Sequence, residues 1–435
     1  MKRIFMLLLT IFFCATLFSC TQQPVPSKGI TLKCVLIGYG DYEKLYEQIP
    51  KFEAQTGIKV EIIFLDNLFE LDKKIKKDFE AGTVDYDVIS NHSSFYSQYP
   101  NYLEPLNQYF SSQELADFIP RLLDSVKKNG NLYLIPRHAD ISSLVYRTDL
   151  FSDPTNQKRF LDLYGRELTV PETWDEFEQV AEFFSQNCNI YGTAFAGKEE
   201  ALTGRFNEIL VANGGQFLSE DGQAAFNSAA GVKTAEMFRD LYQSDSMPQG
   251  TFDYLWDDVA KQFADGKIAM YLEWYSYLPY FQDPNTSKVV GKFDIARSPA
   301  GDGGIHGGWT GVHGFSITKA SAHKQEASEL IKFLTNEDNS LMEAKEGYNP
   351  ARTSVWDQII SDANNSGNAF SKKQMELARL QFSEDSFTPP LIAQWIPASD
   401  IFYPMLQQIM QNKISAQQGL NDVADQVDAL LAKRP

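Results

Sequence analysis

Basic residues are scarce in this chain. Lys and Arg number 39 against 57 Asp and Glu in 435 residues, a formal net charge of −18. Nucleic-acid binding needs clustered cations to displace the counterions of phosphate, so the balance excludes a nucleic-acid partner. It also disfavours a large polyanionic ligand, short of a local basic pocket. Cysteine is scarcer: four residues, of which only Cys34 and Cys188 lie beyond the first 20. Two cysteines make no disulfide framework; they read as buried free thiols, with one disulfide as the alternative. After the N-terminus no apolar run is long enough to span a bilayer. Catalytic signatures are missing too: no GxSxG elbow, no GxxxxGK[ST] loop, no HExxH. The five histidines are scattered without metal spacing. His306 and His313 share a Gly-rich loop but lack a Cys or His cluster beside them, so no metal or other cofactor is expected. Carboxylates are too abundant to exclude a glycosidase pair by counting, yet nothing selects one.

What is present is a globular composition, 43% hydrophobic and 13% aromatic, in a chain long enough for about two domains. Lys2 and Arg3 precede the apolar run Ile4–Phe13, which is short for a membrane span and reads as a signal peptide over residues 1–19. Leu17-Phe18-Ser19-Cys20 resembles a bacterial lipobox, with Phe18 bulkier than the residue usual at that place. The resemblance implies that Cys20 becomes the mature N-terminus and carries a lipid. Residues 20–30, polar and holding Pro24 and Pro26, then read as the tether.

Hydrophobic periodicity places strands at Thr31–Gly38, Ile58–Phe64 and Asp87–Ser90, with helices at Asp41–Thr56 and Leu68–Glu80 between them. Pro50 is awkward inside the first helix and is expected to kink or restart it. This β-α-β-α-β order predicts a parallel sheet flanked by helices, with ligands gathering beyond the carboxyl ends of its strands. Further on, Thr173 and Glu176 have the spacing of a capping box. A strand is predicted over Tyr191–Phe195, and helices over Ala229–Gln243 and Phe252–Ala264. Trp256 falls on the apolar face of the latter and reads as core. Leu420, Val423, Val427 and Leu430 stripe the last helix.

The stretch Asn131–Phe151 organises the rest. Leu132–Ile135 reads as a strand, Arg137, His138 and Asp140 as a charged elbow, and Leu144–Tyr146 as a second strand. Such a passage suits a crossing between two lobes of a solute-binding protein, where charged side chains meet a ligand. Polar–aromatic clusters recur just past other predicted strand ends: Tyr39 with Asp41, Asn91 with His92, Glu273 with Trp274 and Tyr275, Trp309, and Tyr348 with Arg352. A sugar offers apolar C–H faces to flat rings and vicinal hydroxyls to Asp, Glu, Asn and Arg. Hydroxyls mismatched by a wrong epimer leave buried groups unpaired, at roughly 1–3 kcal/mol each.

These residues, with Gly57–Val60, Asp85–Val88, Pro171–Phe177, Phe263–Met270, Gly307-Gly308-Trp309 and Ala327–Thr335, resemble the extracellular solute-binding proteins of family 1, which serve ABC importers and include maltodextrin-binding proteins. The resemblance covers nearly all of the mature chain. It implies an α/β, two-lobed periplasmic-binding-protein fold of type II, each lobe a mainly parallel sheet flanked by helices, joined by a multi-segment hinge. Residues 31–137 with 296–347 would form lobe 1, and 138–295 with 348–435 lobe 2. The crossings would be Arg137–Asp140, near Phe293–Pro299, and near Tyr348–Arg352. The resemblance places Asp41 on the family's sugar-contacting first loop and Asp140 on its acidic hinge residue. It places Trp274 near its aromatic platform and Tyr403 near a second stacking ring. The implied protein is a monomeric, lipid-anchored receptor outside the cytoplasm, in the periplasm or at the cell surface. It would capture a carbohydrate, hand it to importer transmembrane subunits, and do no chemistry. A polyol, polyamine or phosphate ester as solute, or a secreted glycan-cleaving enzyme, are the other readings.

Overall fold

The computed structural model describes residues 29–38 and 40–433, the side chain of Asp41 excepted. The signal peptide, Cys20 and Tyr39 lie outside the described residues. Three strands come first: β1 (Thr31–Ile37), β2 (Lys59–Leu65) and β3 (Val88–His92). β1 lies between the other two and runs parallel to both. A strand with partners on both sides buries both faces, which explains the unbroken apolar run Cys34–Ile37. β2 is the sheet edge and alternates between exposed and half-buried residues along most of its length. The helix between β1 and β2 is divided. A 3₁₀ segment, Gly40–Gln48, leads into an α-helix at Ile49–Thr56 with Pro50 in its first turn. Proline has no N–H to give, and the first turn needs none there.

Next come a small hairpin, β4 (Lys127–Lys128) with β5 (Asn131–Leu132), and the strand β6 (Ile135–Arg147). β6 replaces the expected strand–elbow–strand. It is one 13-residue strand, about 40 Å long at the usual rise. The polar residues do not break it because neighbouring strands pair its backbone there. β9 (Gly308–Ile317) pairs with Ile135–Ile141, and β10 (Asn349–Pro350) with His138 and Ala139. The register slips between Pro136 and His138. A proline cannot donate to the ladder, and a bulge is where sheets accommodate one. From Ser142 onward β6 changes partners, to β7 (Met270–Trp274) and β8 (Phe293–Ala296). β9, β10, β7 and β8 all run antiparallel to β6. The sheet is therefore parallel in its first half and antiparallel around β6. The direction of β6 is set where it meets β9, and the strands that return to it run the other way. β11 (Ser386–Phe387) adds a short parallel pairing to β9.

The apolar core falls in two clusters. One packs β1, β3, the first half of β6 and the helices Lys324–Leu334 and Thr353–Ser366 around residues such as Phe52, Ile89, Phe315 and Ile331. The other packs the helices Trp174–Cys188, Glu199–Ala212, Ala229–Gln243, Trp395–Met410 and Ala416–Leu431 around Phe177, Phe206, Phe238 and Phe402. The capping box forms as read: Thr173 Oγ1 accepts from the Glu176 N–H at 3.2 Å, and the Glu176 carboxylate accepts from the Thr173 N–H at 3.3 Å. No strand forms at Tyr191–Phe195; Tyr191 makes an isolated bridge to Ile268. The helix expected from Phe252 starts at Trp256, because the Asp258 carboxylate takes the Leu255 N–H at 2.9 Å and sets the first turn there. Cys34 and Cys188 are free thiols. Among the described residues no helix is long and apolar enough to cross a membrane.

Candidate functional site

β6 and its partners gather two groups of side chains. The first lies where β7 ends. Trp274 is the last residue of β7, Trp256 opens the helix Trp256–Ala264, and Trp309 stands near the start of β9. Their rings meet edge to face. Centroids are 5.1 Å apart for Trp274 and Trp309, and 5.5 Å for Trp256 with either. The Arg205 guanidinium carbon sits 5.8, 5.9 and 6.0 Å from the three ring centres, within cation–π range. Arg205 forms a buried ion pair with Glu208 one turn on in the helix Glu199–Ala212. Glu208 also accepts from the Ser142 hydroxyl and, at 3.1 Å, from the Trp309 N–H. Gly204 in that helix leaves room for the Trp309 ring, since a Cβ there would stand 2.0 Å from Trp309 Cη2. A mid-helix glycine costs about 1 kcal/mol relative to alanine; here it admits the ring. Trp309 is buried, and its Nε1–H has no partner among the described residues. Trp256 and Trp274 are half-buried. The reading of Trp256 as core is thus corrected, because the helix starts with Trp256 at its edge, against the other two indoles.

Glu273, 1% exposed, takes the Tyr271 hydroxyl at 2.6 Å and the Trp274 N–H at 2.8 Å. Burial pushes its carboxyl up to about 8, against the pull of those bonds and of Arg205. Asp140, also buried, accepts from the N–H groups of Tyr275 at 3.0 Å and Ser276 at 3.3 Å, and from Asn349 Nδ2 at 3.4 Å. Burial raises it to about 6. Its oxygens tie β6 to the turn that follows Trp274.

The second group is a row of histidines. In the sheet register His92 on β3 stands opposite His313 on β9, which stands opposite His138 on β6. Residues directly opposite share a face, so all three rings line up, with centroids 4.5 and 4.8 Å apart. Tyr42 Oη bridges His138 Nε2 at 3.1 Å and His313 Nδ1 at 3.0 Å. Tyr348 packs on His138 at 4.7 Å. Arg137 lies over Tyr42, donates to the Tyr46 hydroxyl at 3.1 Å, and pairs with Glu343. Burial holds His92 down to about 3, and His138 and His313 well below the ordinary range. Reading the histidines as isolated is therefore corrected: strand register assembles three of them. Among the described residues no three His, Cys, Asp or Glu side chains converge on a metal-sized site.

The remaining sequence candidates lie apart from these groups. Asn91 donates to Ser316 Oγ at 3.1 Å and accepts the His92 N–H. Arg352 lies over Phe118, pairs with Asp117 at 3.0 Å and donates to Thr335 O at 2.6 Å. It lines a cavity of about 420 Å³ with Phe110, Asp117 and Lys332. Tyr403, half-buried on the helix Trp395–Met410, has Asp400 and Glu199 near its hydroxyl. Trp256, Arg205, Glu208, Tyr42, His138 and His313 belong to the two groups but were not among the candidates. The one sequence signal for Arg205 was the pairing of Arg and Glu at helical spacing inside an otherwise apolar helix.

The sequence pattern described as bacterial extracellular solute-binding protein matches residues 39–340. A "Probable ABC transporter-binding protein" of Deinococcus radiodurans is 23% identical over 339 residues, 75% of this chain and 77% of that protein. A mannitol-binding protein of Pseudomonas aeruginosa is 21% identical over 329 residues, 73% of this chain and 72% of its own length. Among solved structures, maltose-bound MalE3 of T. maritima superposes with a TM-score of 0.78 at 26% identity, covering 92% of this chain and all of the other.

Proposed function

Because the chain belongs to the bacterial extracellular solute-binding proteins and has their two-lobed type II fold, we propose that it is a carbohydrate receptor that delivers its solute to an ABC importer and performs no chemistry itself. The observation that carries this reading is the group of Trp256, Trp274 and Trp309 beside the buried carboxyls of Glu273 and Glu208. Half-buried indoles offer apolar faces of the size of a pyranose, and burying such faces is the main gain. The unpartnered Trp309 Nε1–H is a donor suited to a hydroxyl oxygen. In this reading Trp256 and Trp274 stack on the sugar, and Glu273 and Asp41 take its hydroxyls. Asp140 and Arg352 position other groups, since their polar atoms already have partners. Lobe 1 would comprise residues 31–137 and 296–347, and β6 would carry the chain across at the point where its partners change. Cys20 would hold the protein to the membrane through a lipid, outside the cytoplasm.

A thermal-shift screen over mono-, di- and oligosaccharides, polyols and polyamines tests this. A ligand at one hundred times its dissociation constant stabilises by about 2.7 kcal/mol, a shift of several degrees. Hits among the carbohydrates support the proposal, and a clear hit only among polyamines overturns it. A hit confined to polyols favours the second reading, for which the mannitol-binding relative speaks.

A further inference from the structure

A second cavity, of about 180 Å³, opens between the helices Trp174–Cys188 and Ala229–Gln243 at the end of the helix Glu199–Ala212. It shares no lining residue with the tryptophan group. Trp174 and Asn213, both more than nine-tenths buried, line it. Trp174 Nε1–H and Asn213 Oδ1 have no hydrogen-bond partner among the described residues, although Asn213 Nδ2 donates to Thr234 Oγ1 at 3.1 Å. A buried donor and a buried acceptor left unpaired in one cavity are both costly, unless something held there satisfies them.

The rest of the lining gives that something a charge. Asp175, Glu178, Glu236 and Asp240 stand against a single ammonium, Lys233. Lys233 is bound to Asp302 at 2.8 Å and Asp175 at 3.2 Å. Glu236 and Asp240 hold Arg239. Glu178 is half-buried and has no hydrogen-bond partner among the described residues. Burial and the negative charges of Asp240 and Asp175 raise its carboxyl to about 7. An anion is repelled here, and no three carboxylates converge as a divalent ion requires. Water could pair with Trp174 and Asn213 but would leave the excess negative charge unanswered.

We propose that this cavity is a second binding site, for a small amino alcohol. Its ammonium group sits between the Glu178 carboxylate and Asn213 Oδ1, and its hydroxyl oxygen accepts from Trp174 Nε1–H. The site is independent of the sugar reading, and the test keeps the two apart. Isothermal titration at pH 7.5 uses 2-aminoethanol as probe, with ethylene glycol and calcium chloride as comparators, on the wild-type protein, Glu178→Gln and Trp274→Ala. The expected result is saturable binding of 2-aminoethanol, at least tenfold weaker in Glu178→Gln, unchanged in Trp274→Ala, and absent with ethylene glycol. No saturable binding to the wild type, equal affinity in Glu178→Gln, loss in Trp274→Ala, or binding of calcium in place of the amine overturns the proposal. If Glu178→Gln melts early, Asp240→Asn carries the comparison with the same expected loss.

Discussion

At the scale of single residues the ion pair of Arg205 with Glu208 supports the tryptophan group from within. Both side chains are buried, and Glu208 also holds the backbone of Trp309. Removing one partner strands a buried charge, so Arg205→Met alone is expected to cost about 3–5 kcal/mol. Replacing both, Arg205→Met with Glu208→Leu, is expected to cost far less. Urea denaturation of the three proteins checks the ordering, and a double variant as unstable as the sum of the singles contradicts it. Glu273 makes a prediction of a different kind. With its native carboxyl raised to about 8, the folded protein keeps a proton that the unfolded chain releases above the ordinary carboxylate range. Stability contributed by this group is therefore present at low pH and lost as pH rises from about 5 to 8. Glu273→Gln should remove one proton from that slope, about 1.4 kcal/mol per pH unit. Urea midpoints at pH 5, 6 and 7 read it, and an unchanged slope would show that Glu273 is ionised in the native state.

At the scale of elements, β6 is the part that joins the most. Its Asp140 accepts the N–H groups that open the turn after Trp274, so a residue on one strand fixes the ring at the end of another. Asp140→Ala is expected to destabilise by about 1–3 kcal/mol and to shift the tryptophan emission to the red as Trp274 loosens. Unaltered emission in a folded variant would disconnect the two. The polar run Arg137–Asp140 was legible as an unusual stretch, but its conformation was not. Local sequence reads as a break, and only the pairing supplied by β9 and β10, nearly 200 residues on, keeps the strand continuous. The same distance hid the histidine row. His92, His138 and His313 become neighbours through register alone, and register is a property of the sheet. Elements whose signals are local were legible closely: the helix Ala229–Gln243 at both ends, the Thr173 capping box, and the stripe Leu420, Val423, Val427. Arg352 misled for the opposite reason. It follows a strand end as site residues do, but Asp117 and Phe118 take it into a different neighbourhood.

At the scale of the whole molecule, a few polar contacts join the segment after β3 to the helical C-terminal part. Ser94 Oγ donates to Glu200 Oε1 at 3.2 Å, Trp395 Nε1–H donates to the same oxygen at 3.0 Å, and Ser97 Oγ donates to the Ile392 carbonyl at 2.9 Å. Contacts so few suit bodies that separate and rejoin around a ligand, a hinge motion of the kind known for periplasmic binding proteins. A ligand closes such a protein only by binding the closed form better, and rings that touch the solute from one side supply part of that difference. The measurement that bears most directly on the account is therefore isothermal titration of the strongest carbohydrate hit into the wild-type protein and Trp274→Ala. The account predicts saturable binding at one site in the wild type and affinity lowered more than tenfold in the variant, with the far-ultraviolet circular dichroism of the two unchanged. Equal affinity in both proteins would remove the tryptophan group from the site and contradict it.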